Sequence, residues 1–106
     1  MDDNLMKLGG NIELTGFSEL DGGVMIVLKK IVGNYVRKMS EHYSDFEKLV
    51  LTMKTVHAKE KGEIYELHAK MIKGGNVIVG EHVDRNLFIA IDNSLKAIMN
   101  SLDKSN

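Results

Sequence analysis

Residues 47–83, EKLVLTMKTVHAKEKGEIYELHAKMIKGGNVIVGEHV, decide the fold of this chain. Apolar residues recur at every second position in three successive parts of this stretch, which is the period of a half-buried β-strand. A polar, glycine-containing segment over Ala58–Gly62 and a Gly-Gly-Asn step at residues 74–76 separate the three parts and are typical of tight turns. The stretch therefore predicts three consecutive strands that pair as an antiparallel meander, over Glu47–His57, Glu63–Lys73 and Val77–Val83.

A further strand and a helix precede this meander. Apolar and polar residues alternate over Asn11–Gly16, which predicts a short strand. Apolar residues recur at spacings of three and four from Val24 to about Tyr43, the period of an amphipathic α-helix, and Ser18 or Asp21 can cap its N-terminus. Because a helix separates the first strand from the meander, we expect that strand to join the sheet in parallel through a right-handed crossover.

A second amphipathic helix follows the meander, from Leu87 to about Asp103, with Asp84 as its expected N-cap. The order of elements predicts an α+β two-layer sandwich, β-α-β-β-β-α, with a four-stranded mixed sheet and both helices on one sheet face. Residues 1–10 end in Gly9-Gly10 and show no sustained period, so we expect a flexible leader there. Residues 11–106 are expected to form a single domain.

The 106-residue chain has the size and composition of one globular domain, with 43% hydrophobic and 27% charged residues. It contains no cysteine, which excludes disulfides, thiolate metal sites and cysteine nucleophiles. The acidic N-terminus lacks the positive charge of a secretory signal, and the longest apolar run, Val24–Leu28, is far too short to span a bilayer. We therefore expect a cytoplasmic protein with no membrane partner.

The chemistry of catalysis and metal binding has no clear signature in the sequence. A nucleophile elbow, a phosphate-binding P-loop and a dinucleotide fingerprint are all missing. The histidines lack the short spacing of a metal site, although His68 and His82 could approach each other on neighbouring strands. Solvent-facing strand histidines are the commoner arrangement, so we expect no metal, no other cofactor and no enzymatic activity.

The outer face of the first helix is the most informative polar feature. Between Val24 and Ser40 the chain has four cations and no acid, although the formal net charge of the whole chain is −1. The four cations are Lys29, Lys30, Arg37 and Lys38. A phosphate group responds to the local field of one face and not to the net charge. The pattern fits either a surface that binds nucleic acid or a solvated helix face with no partner.

Several strings of this sequence resemble the ribosome hibernation-promoting factor family, the small ribosome-associated inhibitors of translation. They are Asn11–Gly16 in the first strand, Tyr65–Lys70 in the third strand, and Asn86–Asp92, which runs into Ser94–Ile98 in the last helix. The resemblance extends over residues 11–104, nearly the whole chain, and depends on the order and spacing of these strings.

The resemblance implies a double-stranded-RNA-binding-like fold that docks on the small ribosomal subunit near the decoding region, where it would exclude messenger and transfer RNA under stress. The family uses basic residues on a helix face against ribosomal RNA. The corresponding candidates in this chain are Lys29, Lys30, Arg37 and Lys38, with Lys96 and Lys104 extending the face from the last helix. We therefore expect an RNA-binding inhibitor of translation whose partner is the small ribosomal subunit.

An alternative function of a different class is a non-catalytic protein-interaction or homodimerisation module. Two helices on one sheet face leave the opposite face open, and we expect Ile64, Ile72 and Ile78 to lie there among polar residues. A small-molecule or metal site between the strand histidines is a third option.

Overall fold

A computed structural model describes residues 5–60 and 62–104, with side chains for all of these except Ala58 and Lys104. The described residues form a five-stranded sheet and two helices. The strands are β1 (Leu5–Lys7), β2 (Ile12–Thr15), β3 (Phe46–Ala58), β4 (Gly62–Lys73) and β5 (Asn76–Asp84), and the helices are α1 (Gly22–His42) and α2 (Leu87–Lys104). Neither helix, over the residues described, is long and apolar enough to cross a membrane.

The strands lie in the sheet in the same order as in the chain. β2 pairs with β3 in parallel, and β3, β4 and β5 form an antiparallel meander. The sequence predicts both the parallel pair and the antiparallel meander. Helix α1 connects β2 to β3, because two parallel neighbouring strands cannot be joined by a tight turn.

The prediction of a four-stranded sheet is wrong by one strand. Leu5–Lys7, which falls in the predicted leader, pairs antiparallel with β2, so that Met6 lies opposite Leu14. Gly9 adopts a φ of 72° in the turn between β1 and β2, a conformation that glycine adopts readily. Three residues are too few to show a period, which is why the pattern did not indicate this strand. Residues 1–4 of the predicted leader lie outside the described residues.

One of the two N-cap predictions is correct and the other is wrong. Asp21 caps α1, because its carboxylate accepts a hydrogen bond of 2.9 Å from the N–H three residues later. Asn86, and not Asp84, caps α2: the Asn86 side chain accepts from the N–H groups of Phe88 and Ile89 at 2.9 and 3.1 Å. Asp84 remains the last residue of β5 and accepts from the Asn86 N–H at 2.9 Å.

The hydrophobic core lies between the two helices and one face of the sheet, and side chains from both helices join the same cluster. Burial of each such large side chain contributes about 1.5–3 kcal/mol. Gly80 allows α2 to approach β5 closely, because a Cβ at this position would collide with the backbone oxygen of Ser94. The largest fully buried side chains are Leu14, Phe17, Leu28, Met39, Leu49, Leu51, Leu67, Met71, Ile91, Leu95 and Ile98.

The opposite side of the sheet, here called the open face, is not covered by either helix. Ile64 and Ile72 lie on it as predicted, since they pair with Val56 and Val77 in register positions that alternate with the core residues. Ile78 does not: it lies opposite Met71 on the core side and packs against the core. Apolar residues occupy both sides of β5, so alternation alone could not indicate which side is buried.

Candidate nucleic-acid interface

Helix α1 presents the predicted cations to solvent. Its buried side chains, from Met25 to Met39, recur at helical spacing on one side, which leaves the other side free of core contacts. Glu41 is the only carboxylate in the helix. The exposed cations are Lys29, Lys30, Arg37 and Lys38.

The four cations spread over about half of the helix circumference. At about 100° per residue, Lys30 and Arg37 are seven positions apart and lie within about 20° of each other. Lys29 and Lys38 are nine positions apart, so they lie on opposite flanks. Lys38 is on the flank toward α2, since it interacts electrostatically with Asp92 of that helix. Lys30 and Arg37 therefore form the centre of the candidate interface.

The four cations form no ion pairs within the described part of the chain, although Lys38 interacts with Asp92 at longer range. Within residues 5–60 and 62–104, no carboxylate lies within ion-pair distance of any of the four. The Arg37 guanidinium donates to the neutral side chain of Asn34 at 3.4 Å, and the Lys38 ammonium lies 5.7 Å from the centre of the Tyr35 ring. Neither contact removes charge, so both groups can still interact with a phosphate.

One carboxylate joins the two helices beside this surface. The Tyr35 hydroxyl donates to Asp92 Oδ1 at 2.6 Å, and Lys96 Nζ lies 2.9 Å from Asp92 Oδ2. The hydrogen bond from Tyr35, followed by that from Lys96, lowers the pKa of Asp92, and the charge of Lys38 adds to the effect. Partial burial, together with the bond to Asp92, raises the pKa of Tyr35. Asp92 is therefore ionised at neutral pH and links α1 to α2.

The ion pair with Asp92 reduces the positive charge that α2 is expected to add to the cationic surface. Lys96 is exposed, but the carboxylate of Asp92 offsets much of its charge. Lys104 ends α2, and its side chain lies outside the described residues. The sequence does not reveal the contact of Asp92 with Tyr35, because the two residues are 57 positions apart and Tyr35 belongs to the apolar stripe of α1. The extension of the cationic surface onto α2 stays a prediction.

Exposed apolar side chains accompany the cations at the N-terminal half of α1. Ile26 and Val27, which belong to the apolar run Val24–Leu28, are 60% and 43% exposed. A helix buries only the positions on its core side, here Met25 and Leu28, so the residues between them remain in solvent. Apolar groups beside cations can contact sugars and bases while the cations contact phosphates.

The histidines that could have formed a metal site point in different directions. His68 lies on the open face, with Nδ1 3.4 Å from Glu81. His82 lies on the helix side, where its ring contacts Asn93 at 3.2 Å and Asp84 at 3.6 Å. Among the residues whose positions are described, no group of three or more His, Asp or Glu side chains could hold a metal ion.

A cavity of about 280 Å³ lies at the N-terminal ends of the two helices. Its walls are mostly apolar, and Arg85 is the one charged residue among the described residues that line it. The other lining residues are Leu20, Val24, Tyr65, Asn86, Leu87 and Phe88.

Comparison of the chain with protein-family models and with curated proteins found no match. The basis for a functional proposal is therefore the chemistry of α1, together with the sequence strings that resemble the hibernation-promoting factors.

Proposed function

We propose that this protein is a non-catalytic, ribosome-associated RNA-binding protein that inhibits translation by docking on the small ribosomal subunit in the cytoplasm. The observation that carries the proposal is the outer side of α1, where four exposed cations have no ion-paired carboxylate among the described residues. The net charge of the whole chain is −1, so this surface differs in sign from the remainder of the chain.

Folded RNA is the class of partner that suits such a surface. The deep groove of an A-form helix is closed to side chains, so proteins bind it mainly through phosphates and 2′-hydroxyls. Lys30 and Arg37 lie about 10 Å apart along the helix axis, at a rise of about 1.5 Å per residue, and can contact different phosphates. Their contacts would fix the position of the protein on the RNA without reading its sequence.

The remaining residues of the surface have supporting roles in this proposal. Asp92 forms an ion pair with Lys96 and interacts electrostatically with Lys38, so the bond from Tyr35 to Asp92 would hold a carboxylate that attracts a cation of each helix. The exposed Ile26 and Val27 would contact sugars or bases next to the phosphates. Inhibition follows from occupancy alone, since a protein seated near the decoding region excludes messenger and transfer RNA. A double-stranded-RNA-binding-like fold is part of the same proposal.

Sedimentation of the protein with ribosomal subunits through a gradient tests the proposal. At low salt we expect the wild-type protein to migrate with the small subunit and to dissociate as salt rises. The variant Lys30→Gln/Arg37→Gln should remain largely at the top of the gradient. The matched control Lys7→Gln/Lys54→Gln also removes two charges, but from the open face, and should migrate as the wild type does.

Two results would overturn the proposal. Wild-type protein that stays at the top of the gradient at low salt has no affinity for the small subunit. Equal losses in the α1 variant and in the open-face control would show that binding depends on total charge and not on the surface of α1.

A further inference from the structure

Strand β5 is an edge of the sheet. It pairs with β4 along its whole length, and no other strand among the described residues pairs with its second side. In an edge strand, alternate residues direct their N–H and C=O groups away from the sheet, where they can pair with another strand. The nine residues of β5 follow a regular register without a bulge, so these groups form a continuous row.

The side chains of β5 do not protect this edge. Natural edge strands usually carry a lysine, a proline or a bulge, or are very short. β1, the opposite edge, has only three residues, one of which is Lys7. β5 contains no lysine, arginine or proline, and its solvent-facing Val77, Val79 and Val83 are 56%, 48% and 57% exposed. The two edges of one sheet therefore differ in their capacity to accept another strand.

We propose that β5 pairs antiparallel with β5 of a second copy of this chain, so that two sheets join into one across a two-fold axis. With the axis at Gly80, all nine residues of each strand find a partner. The residues that then lie opposite one another, one from each copy, are Val77 and Val83, Val79 and Glu81, Ile78 and His82, and Asn76 and Asp84.

The register follows from the residues of β5 itself. If the register shifted by one position, side chains on the open face of one copy would lie opposite side chains on the core side of the other. An axis at Glu81 would bring two glutamates directly opposite each other, and like charges in that position are destabilising. An axis at Val79 avoids this repulsion but pairs only seven of the nine residues. The axis at Gly80 gives the most pairs and opposes no like charges.

Charges on the neighbouring strand complement this arrangement. Lys70 lies beside Val79 in β4, is exposed, and has no ion pair among the described residues. In the dimer, Glu81 of the partner subunit lies beside Val79 on the strand opposite to β4, so Lys70, Val79 and that glutamate follow one another across three strands. The two Cα atoms are then two strand spacings apart, about 10 Å, which extended lysine and glutamate side chains can bridge. The symmetry creates this pair twice.

The same pairing also extends the apolar part of the open face. Ile72 lies beside Val77 in the next strand, so Val83 of the partner subunit would complete a continuous apolar row. Cross-strand apolar pairs of this kind are a main source of sheet stability. The interface uses the edge beside β4 and α2, whereas α1 packs near β3 and keeps its cations free. The inference therefore does not depend on the proposed binding of RNA.

Light scattering of the purified chain, measured without ribosomes over a concentration series, tests the proposal. We expect the wild type to rise toward twice its mass of 11.9 kDa as concentration increases. Val79→Glu should remain at the monomer mass, because each copy would place a second carboxylate directly opposite Glu81 of the partner subunit, and like charges in that position are destabilising. Thr52→Glu adds the same charge to the central part of the open face and should dimerise as the wild type does. A wild type that stays monomeric at its highest soluble concentration, or a Val79→Glu variant that still dimerises, overturns the proposal.

Disulfide formation tests the register independently, because the natural chain has no cysteine. Val77→Cys and Val83→Cys lie opposite each other only in the proposed register, within the reach of a disulfide. Mild oxidation of a mixture of the two variants should yield covalent dimers, whereas each variant alone should yield few. Equal cross-linking of either variant alone would contradict the register, as would a mixture that does not cross-link.

Discussion

The outer side of α1 and the open face of the sheet both carry cations, but the two surfaces differ in the acids that lie near those cations. The four cations of α1 have no carboxylate within ion-pair distance in the described part of the chain, and Glu41 is the one acid of that helix. On the open face, Lys48 lies 2.8 Å from Glu13, Lys7 is opposite Glu13, and Lys54 is opposite Glu66. The number of cations on a surface therefore says little about its affinity for an anion.

Glu13, an acid of the open face, retains its charge. The hydrogen bond from Lys48 lowers the pKa of Glu13, and the charges of Lys48 and Lys7 act in the same direction. Glu13 is thus ionised at neutral pH and offsets the lysines beside it. The open face combines balanced charge with exposed valines, which suits a protein partner, while α1 combines unbalanced charge with few acids, which suits a nucleic acid.

The largest expected effect is the salt dependence of RNA binding. If all four α1 cations contact phosphates, the affinity for duplex RNA should fall with a log–log slope of roughly −2.8 to −3.6, a loss of about 50- to 150-fold between 50 and 200 mM salt. Fluorescence anisotropy with a labelled RNA hairpin would measure it. Lys30→Gln/Arg37→Gln should halve the slope, and Lys7→Gln/Lys54→Gln should leave it unchanged. The same slope for both variants would remove the distinction between the two surfaces.

Alanine substitutions at two glycines compare the packing of α2 on β5 with the packing around the middle of α1. Gly80→Ala should destabilise the fold by about 1–3 kcal/mol, because the new methyl group meets the backbone oxygen of Ser94. Gly33→Ala should instead stabilise it by up to about 1 kcal/mol, since no atom lies near the added group and alanine is the better helix former. Urea unfolding gives both values. Similar effects at the two positions would show that α2 does not pack closely on β5.

The smallest effect concerns the link between the helices. Tyr35→Phe removes a hydrogen bond to a half-exposed carboxylate and should cost about 1 kcal/mol at pH 7. Tyr65→Phe removes a longer bond to Glu63, of 3.1 Å on the exposed surface, and should cost less. Thermal unfolding of both variants measures the difference. A larger loss in Tyr65→Phe would contradict the role given to Asp92.

The same variant should change the response to acid. The folded-state pKa of Asp92 lies below its ordinary value of 3.8, so its contribution to stability is complete above that value and is lost as pH falls through the folded-state pKa. Because the Tyr35 bond is the largest cause of the lowered pKa, Tyr35→Phe should weaken this acid-dependent loss. Unfolding of the wild type and the variant should be measured between pH 2 and pH 5. If the difference in their free energies of unfolding stays constant over this range, the prediction is wrong.

The sequence by itself determined the order of the elements from β2 onward, the parallel crossover through α1, Asp21 as one of two candidate caps and the position of four cations on one helix. Each of these follows from the spacing of residues that are near one another in the chain, and local spacing is what periodicity reports. The cluster of Lys29, Lys30, Arg37 and Lys38 could be predicted for the same reason.

Only the tertiary structure decided the remaining features. β1 exists as a strand because β2 lies beside it, and the burial of Ile78 rather than Val77 depends on which side of β5 meets α2. The charge of Lys96 is offset because Tyr35 and Asp92, far apart in the chain, meet at the contact between the helices. These features arise from interactions between distant segments, whose energies depend on the packed structure and leave no period in the sequence.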